Sequence, residues 1–484
     1  MRGTATVVGS GPNGLSAAVV LARAGLEVTV LEARERAGGA CVDAELLGPG
    51  VVSDLGSAVH PFAVASPFFR DLPLERHGLR WRHGRYPLGH ALDDGPAAVL
   101  PHDLEEAAGA LGRDGRAWRA LFAGPVARWE ELVPAVLGPL LRVPSAPLAL
   151  GSFGARAAWP SAALVRTAFR EEPARALFAG MAAHALQPHT QVLTAAFGTL
   201  FAAAAHTTGW PVPAGGSGAI TRALRGVLAE NGGRVVTGHP VRSLAELPPA
   251  DLTLLDVTPR QLLALGGDRL PARYAAALRR WRYGPGAHKV DYLLDGPVPW
   301  RDPRLAGAVT VHLGGTAAEV AAAEADVVAG RHPERPFVLL AQQDAADPGR
   351  APGGQRVVWA YAHTPQGSAD PGVGERVDRQ VERFAPGFRD RVLARVETPP
   401  AQLEQQNANL VGGDVGGGAL TLRQQLFRPV VGLSPYRVPL PGTYLCSAAT
   451  PPGGGVHGMC GFHAAILALR DLARSRRLGG GRTP

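Results

Sequence analysis

The 484-residue chain carries a formal charge of +8 and is 46% hydrophobic, with 62 glycines and 43 prolines. That length allows two or more domain-sized units of roughly 100–200 residues and a substantial core. Cys41, Cys446 and Cys460 are too scattered for a disulfide framework, and no like-charge run is long enough for a nucleic-acid arm, so a reducing, cytoplasmic setting without a nucleic-acid partner is expected.

The first 41 residues are the most informative. Ala5–Val8 is a short apolar run that predicts a buried parallel strand, and Gly9, Gly11 and Gly14 follow at G-x-G-x-x-G spacing. Leu15–Ala24 favours helix, Gly25 stops it, and a second strand over Glu27–Leu31 ends in Glu32. Each part has a role in holding a dinucleotide. Gly9 permits the turn, Gly11 lets a pyrophosphate approach the backbone, and Gly14 lets helix and sheet pack closely. The helix N-terminus offers free N–H groups to the phosphates. Glu32 stands at the distance from which an acid accepts from a ribose hydroxyl, about 20 residues downstream.

The N-terminus enters the first strand at once, so no signal peptide is expected. No apolar run reaches the roughly 18 residues of a bilayer span. The most hydrophobic segment, Val133–Leu150, is broken by four prolines and Arg142, and it is the candidate for a peripheral membrane contact. Val51–Pro61 reads as a strand turning into a loop. Helices are predicted over Glu105–Leu121, Val126–Leu137, Ala162–Phe169, Pro173–Ala185 and Leu193–Ala205, giving a helical cap. A helix ending at Glu230 is followed by strands over Arg234–Val241 and Leu252–Val257, with Thr258-Pro259 turning out of the second. Farther on, strands are predicted over Gly286–Leu294, Pro336–Leu340, Arg356–Tyr361 and Thr443–Cys446, with a helix over Val377–Phe384. Asn407–Gly418 is a Gly-rich loop, and the final helix spans about Cys460–Arg477. There is no second G-x-G-x-x-G after a strand, and Cys41 has no partner a few residues on, which argues against a disulfide reductase with two dinucleotides.

Five blocks carry a family resemblance: Val7–Ala18 (VVGSGPNGLSAA), Gly56–Pro61 (GSAVHP), Lys289–Trp300 (KVDYLLDGPVPW), Asn409–Ala419 (NLVGGDVGGGA) and Thr450–Gly461 (TPPGGGVHGMCG). Together they make the chain resemble the phytoene-desaturase-like flavoproteins of the flavin amine oxidase superfamily, in the branch named pyridine nucleotide-disulfide oxidoreductase domain-containing proteins. The resemblance implies an α/β, Rossmann-like FAD domain with an inserted mixed α+β substrate domain. The FAD domain would comprise 1–75, 211–262 and 430–484, and the substrate or cap domain 76–210 and 263–429. It implies non-covalent FAD, with Gly9, Gly11 and Gly14 at the pyrophosphate, Glu32, Ala33 and Arg34 at the adenosine ribose, Gly38 and Gly39 along the phosphate and ribityl path, and Val241 at adenine. Val456, His457, Gly458 and Met459 would run along the isoalloxazine, with the last helix aimed at its pyrimidine ring. Ser447 stands where such proteins often carry glycine.

Lys289 is the only lysine. Similarly framed lysines in amine oxidases hold a water against flavin N5, while the residues alone equally allow an ion pair with Asp291. His457, Cys460 and His463 have helical spacing, but the flavin-loop reading accounts for His457, and no metal site is expected. His60 is open to two roles, catalytic base or structural hydrogen bond. His184 and His189 are expected to cap or line the helical layer. The expectation is an FAD-dependent oxidoreductase that takes hydride from a C–H bond of an apolar small molecule and passes electrons to oxygen or a quinone. Amine oxidase, saturase or isomerase, and non-catalytic flavin binder remain as alternatives.

Overall fold

The computed structural model describes residues 3–139, 146–432 and 434–479. A five-stranded parallel sheet has the order Thr443–Leu445, Leu252–Leu255, Thr4–Val8, Glu27–Leu31, Arg234–Val236. One face, with Ala5, Val7, Val28, Val30, Leu252 and Leu254, is apolar and buried under helices, while Thr6, Thr29 and Thr253 alternate to the other. Three of those helices, Pro12–Arg23, Gly218–Glu230 and Met459–Gly479, pack on one another or on the sheet. The approach of the last helix to the first is close: a Cβ on Gly461 would lie 1.8 Å from the Asn13 carbonyl oxygen. Only glycine fits there, so the last helix is held against the start of the first.

A second, seven-stranded sheet has the order Val392–Thr398, Gly286–Leu294, Arg356–Thr364, Val338–Ala341, Ala308–Leu313, Tyr86–Ala91, Ala98–Leu100. All its pairings are antiparallel except Ala308–Leu313 with Tyr86–Ala91. Period-two alternation sorts its faces. Val290, Tyr292, Leu294, Val358, Ala360 and Ala362 face a core closed by the helix Val373–Phe384. The opposite face carries Lys289, Trp359, Tyr361 and Leu339.

The strand Gly286–Leu294 matches its predicted range, and the helices Gly218–Glu230 and Met459–Gly479 lie where expected. Glu105–Leu121 instead divides into Leu104–Ala110 and Gly115–Ala127, joined by a short 3₁₀ turn over Gly112–Asp114, where Gly112 adopts φ 53°. The predicted strand Arg234–Val241 stops at Val236, because Gly238 turns with φ 64°. Leu252–Val257 ends at Leu255, and Thr258 caps a helix, Pro259–Gly266, through a reciprocal capping box with Gln261. Val51–Pro61 contributes only Ser53–Asp54 to a two-stranded ribbon. Residues 76–210 are not purely helical, since Tyr86–Ala91 and Ala98–Leu100 join the large sheet. Pro87 and Gly89 hide that strand from a propensity reading. It forms because it is buried between two partners, and tertiary context overrides propensity. Residues 140–145 of the apolar segment Val133–Leu150 lie outside the described residues; the flanking helix Pro147–Ala157 leaves Leu148 68% exposed.

Candidate functional site

One cavity of about 1110 Å³ runs from the carboxyl end of the parallel sheet to the open face of the large sheet. Gly9, Ser10, Gly11, Glu32, Ala33, Arg34, Gly39 and Val241 line one end. The turn after the first strand shapes it. Gly9 holds φ 97°, and a Cβ on Gly14 would lie 2.1 Å from the Gly9 carbonyl oxygen. Gly14 therefore serves helix–strand contact and does not itself line the cavity, the division of labour expected of these glycines.

Glu32 is held rigidly. Its Oε2 accepts the Ser10 N–H at 3.0 Å and the Ser10 hydroxyl at 2.5 Å, and its Oε1 accepts the Arg34 N–H at 2.9 Å. A carboxylate offers about four acceptor positions. Three are occupied, and one remains for a ribose hydroxyl. Ser10 also accepts the Gly38 N–H at 3.2 Å, so Gly38 braces the acid from behind while Gly39 forms the wall. Ser10 was invisible to the motif, which leaves that position unspecified.

The other end is aromatic. Phe62, Phe201, Trp210, Trp359 and Tyr361 line it together with Leu339, Lys289, His60 and His184. Lys289 and Asp291 are two apart on one strand and so point to the same face, where they form a buried ion pair. Burial pushes the Asp291 carboxyl up to about 6, against the pull of Lys289. Lys289 thus has Asp291 as its ion-pair partner and also stands on the cavity wall.

His60 has a defined tautomer. The Ser217 hydroxyl donates its hydrogen to the Ser57 carbonyl, so Ser217 Oγ must accept from His60 Nε2–H at 3.0 Å. The proton is on Nε2, and Nδ1 is a buried lone pair without a partner among the described residues. Burial pushes the ring down to about 4, which keeps it neutral at ordinary pH.

The C-terminal loop divides differently from the expectation. Val456 lines the cavity, with Gly454 and Gly455, but His457, Gly458 and Met459 do not. His457 Nδ1 accepts the Met459 N–H at 3.0 Å and its carbonyl accepts from Ser66. The imidazole is committed to the start of the last helix, and burial pushes it down to about 4. A Cβ on Gly458 would lie 2.2 Å from Ser16 Oγ, so that glycine is a packing residue. Ser447 lines the cavity, where glycine would have left bare backbone. Cys460 Sγ faces the Thr450 and Gly453 carbonyls, and His463 Nε2–H donates to the Leu137 carbonyl. The three residues of the H-x-x-C-x-x-H run do not converge, and no group of three or more metal-ligating side chains occurs among the described residues. Cys41, Cys446 and Cys460 are free and buried, and burial pushes the Cys41 thiol up to about 12.

Asp256 and Asn409 line the cavity outside the residues expected at the site. Asp256 directly follows a parallel strand, and ligands gather outside the carboxyl ends of such strands, so the position itself was a signal. Asn409 Nδ2 donates to the Asp256 carbonyl at 2.9 Å and closes the Gly-rich loop over it. His184, expected in the helical layer, does sit there, yet it reaches the cavity. It stacks on Phe201 at 4.3 Å, and its Nε2 lies 3.4 Å from His312 Nε2.

Comparison with known proteins agrees with this geometry. The profile of the flavin containing amine oxidoreductase family matches residues 13–458. The pyridine nucleotide-disulfide oxidoreductase domain-containing protein 2 of Rattus norvegicus is 28% identical, over 97% of this chain and 93% of its own. A limonene dehydrogenase subunit of Castellaniella defragrans is 31% identical, over 27% of this chain and 25% of its own. Among solved structures, putrescine oxidase bound to putrescine superposes with a TM-score of 0.61 at 17% identity, covering 98% of this chain and 99% of that one, a likeness of fold. No helix among the described residues is long and apolar enough to cross a membrane. The chain belongs to the flavin containing amine oxidoreductase family and is an FAD-dependent oxidoreductase.

Proposed function

We propose that the chain is a dehydrogenase or desaturase for an uncharged, largely apolar small molecule. The carrying observation is the chemistry of the aromatic end. Of the carboxylates lining the cavity, Glu32 and Asp256 stand at the glycine turn and Glu35 follows Glu32 closely in the chain. The fourth, Asp414, is 1% exposed and already accepts the N–H groups of Gly284, Gly416 and Gly418. Among the described residues, the aromatic end thus offers no exposed acid to pair with an ammonium group. Lys289, on its wall, is already paired with Asp291. The partial likeness to a limonene dehydrogenase subunit, named for a hydrocarbon, points the same way.

In this reading Gly9, Gly11, Glu32, Ala33, Arg34, Gly39 and Val241 hold the ADP half of FAD, and Val456 with Ser447 borders the other half. Bound FAD would supply a two-electron acceptor, with N5 as the site for hydride from a substrate carbon. The chain's own residues do the rest. Phe62, Phe201, Trp210 and Trp359 bury and orient the apolar body. Neutral His60 offers its Nδ1 lone pair, and His184, pushed down to about 3 by burial, is a second neutral ring, to accept the proton or fix a single polar group. Lys289 stands at the floor to aid reoxidation by oxygen or a quinone. The strands of the large sheet form the substrate part, within 76–210 and 263–429, and those of the parallel sheet the cofactor part, within 1–75, 211–262 and 430–484. A transient contact of the segment around Leu148 with a membrane would give access to lipid-soluble substrates and acceptors. The setting is the cytoplasm.

The second reading is an amine oxidase, favoured by the family profile and by aromatic rings able to hold a cation over their faces. An anaerobic panel separates the two. Apolar cyclic and polyene hydrocarbons or alcohols are expected to bleach the flavin absorbance, while primary and secondary amines leave it unchanged. Bleaching by amines alone, with peroxide on re-aeration, would overturn the first reading.

A further inference from the structure

The glycine turn that leaves room for a pyrophosphate also holds a carboxylate. Asp256 directly follows the strand Leu252–Leu255, which pairs with Thr4–Val8, and its Oδ2 accepts the Gly14 N–H at 3.0 Å. The same oxygen lies 2.8 Å from the point a Cβ on Gly11 would occupy. That is the bare surface where the backbone can meet a phosphate. A carboxylate there takes up one of the N–H groups of the helix N-terminus and sets a negative charge against a cofactor that brings two more.

The surroundings oppose the charged form. Asp256 is 6% exposed, and Glu32 faces it across the first strand. Cys446, on the adjoining strand end, and Cys460, on the last helix, are the other titratable groups acting with it, and both are neutral thiols pushed up by burial. Asn409 touches only its carbonyl. Burial and Glu32 raise the carboxyl and the Gly14 N–H lowers it, leaving it at about 7. The approach of phosphate adds a further push in the same direction.

We propose that Asp256 meets the FAD pyrophosphate as a neutral carboxylic acid, so that binding FAD takes up one proton from solvent. The proton turns repulsion into an O–H donor aimed at a phosphate oxygen. This rests on FAD occupying the Gly9–Glu32 end.

The test is FAD affinity of the full-length apoprotein between pH 6 and 9, together with calorimetry at pH 8 in two buffers of different ionisation enthalpy. For the wild type, affinity is expected to fall about tenfold per pH unit above pH 7, and the buffer comparison to show about one proton taken up per FAD. Asp256→Asn is expected to bind FAD with little pH dependence and to take up no proton. If that variant does not fold, the wild-type proton count decides. A flat wild-type profile with no uptake, or the same uptake in Asp256→Asn, would overturn the proposal. Failure to bind FAD at every pH would instead overturn the cofactor assignment itself.

Discussion

The nucleotide end and the substrate end of the cavity are built by different means. At the nucleotide end most of the working parts are backbone groups and Glu32, drawn from a single strand–turn–helix–strand unit, with Val241 and Asp256 joining from beside it. Gly11, Ser10 and Glu32 lie within 23 consecutive positions, and hydrogen bonds among neighbours fix them. At the substrate end the parts are side chains from distant strands and helices. Tyr361 stands opposite Lys289 across the ladder, Phe201 and Trp210 come from the helical layer, and His60 is set by Ser217. A local motif tolerates no side-chain change at its glycines. A dispersed wall can be varied residue by residue, and that is where specificity can change without loss of the cofactor.

The sharpest way to break this contrast is Gly14→Ala. Its Cβ would press on the Gly9 carbonyl, so overpacking of roughly 1–3 kcal/mol and loss of FAD retention are expected together, read by thermal unfolding and flavin content. Next comes Lys289→Met. Removing one partner of a buried pair costs about 3–5 kcal/mol, because the Asp291 charge is left alone. Lys289→Met with Asp291→Asn should recover much of that stability yet keep slow flavin reoxidation in stopped flow; normal reoxidation in the double variant would remove Lys289 from the chemistry. Glu32→Gln should weaken FAD binding by about tenfold or more, from the loss of charge-assisted hydrogen bonds of roughly 1.5–3 kcal/mol, with substrate preference unchanged. Trp210→Ala should do the converse, altering which substrates reduce the flavin while FAD affinity stays within a few-fold.

The smallest and most diffuse effect is on pH stability. Burial holds His60, His90, His189 and His457 near 4, below the ordinary value of 6.5. The unfolded chain binds these protons first, so stability is full above about pH 6.5 and is lost as pH falls toward 4. Each such imidazole contributes up to about 1.4 kcal/mol per pH unit. Asp256 and Asp291, pushed up to about 7 and about 6, act with the opposite sign. Urea midpoints at pH 7 and pH 5 should therefore show a net loss at the lower pH, since the imidazoles outnumber the acids.

The same contrast explains what could be read from the chain. The strand Glu27–Leu31, the three glycines and Glu32 were legible because sequence neighbours do the work. The strand Gly286–Leu294 was legible from its alternation. Tyr86–Ala91 was not, because burial between two strands makes it a strand despite Pro87 and Gly89. His457 looked like a flavin contact from its block, yet its imidazole is committed to the Met459 N–H, an orientation no spacing encodes. Asp256 carried a positional signal at a strand end, but its proximity to Gly11 and Gly14 appears only once the strands are ordered.

The most direct measurement of the central claim is a crystal structure of the FAD-reconstituted protein. The account predicts ADP over Gly11 with its ribose on Glu32, and the flavin ring at the end lined by Lys289 and Tyr361. A flavin ring at the Glu32 end, or FAD outside this cavity, would contradict it.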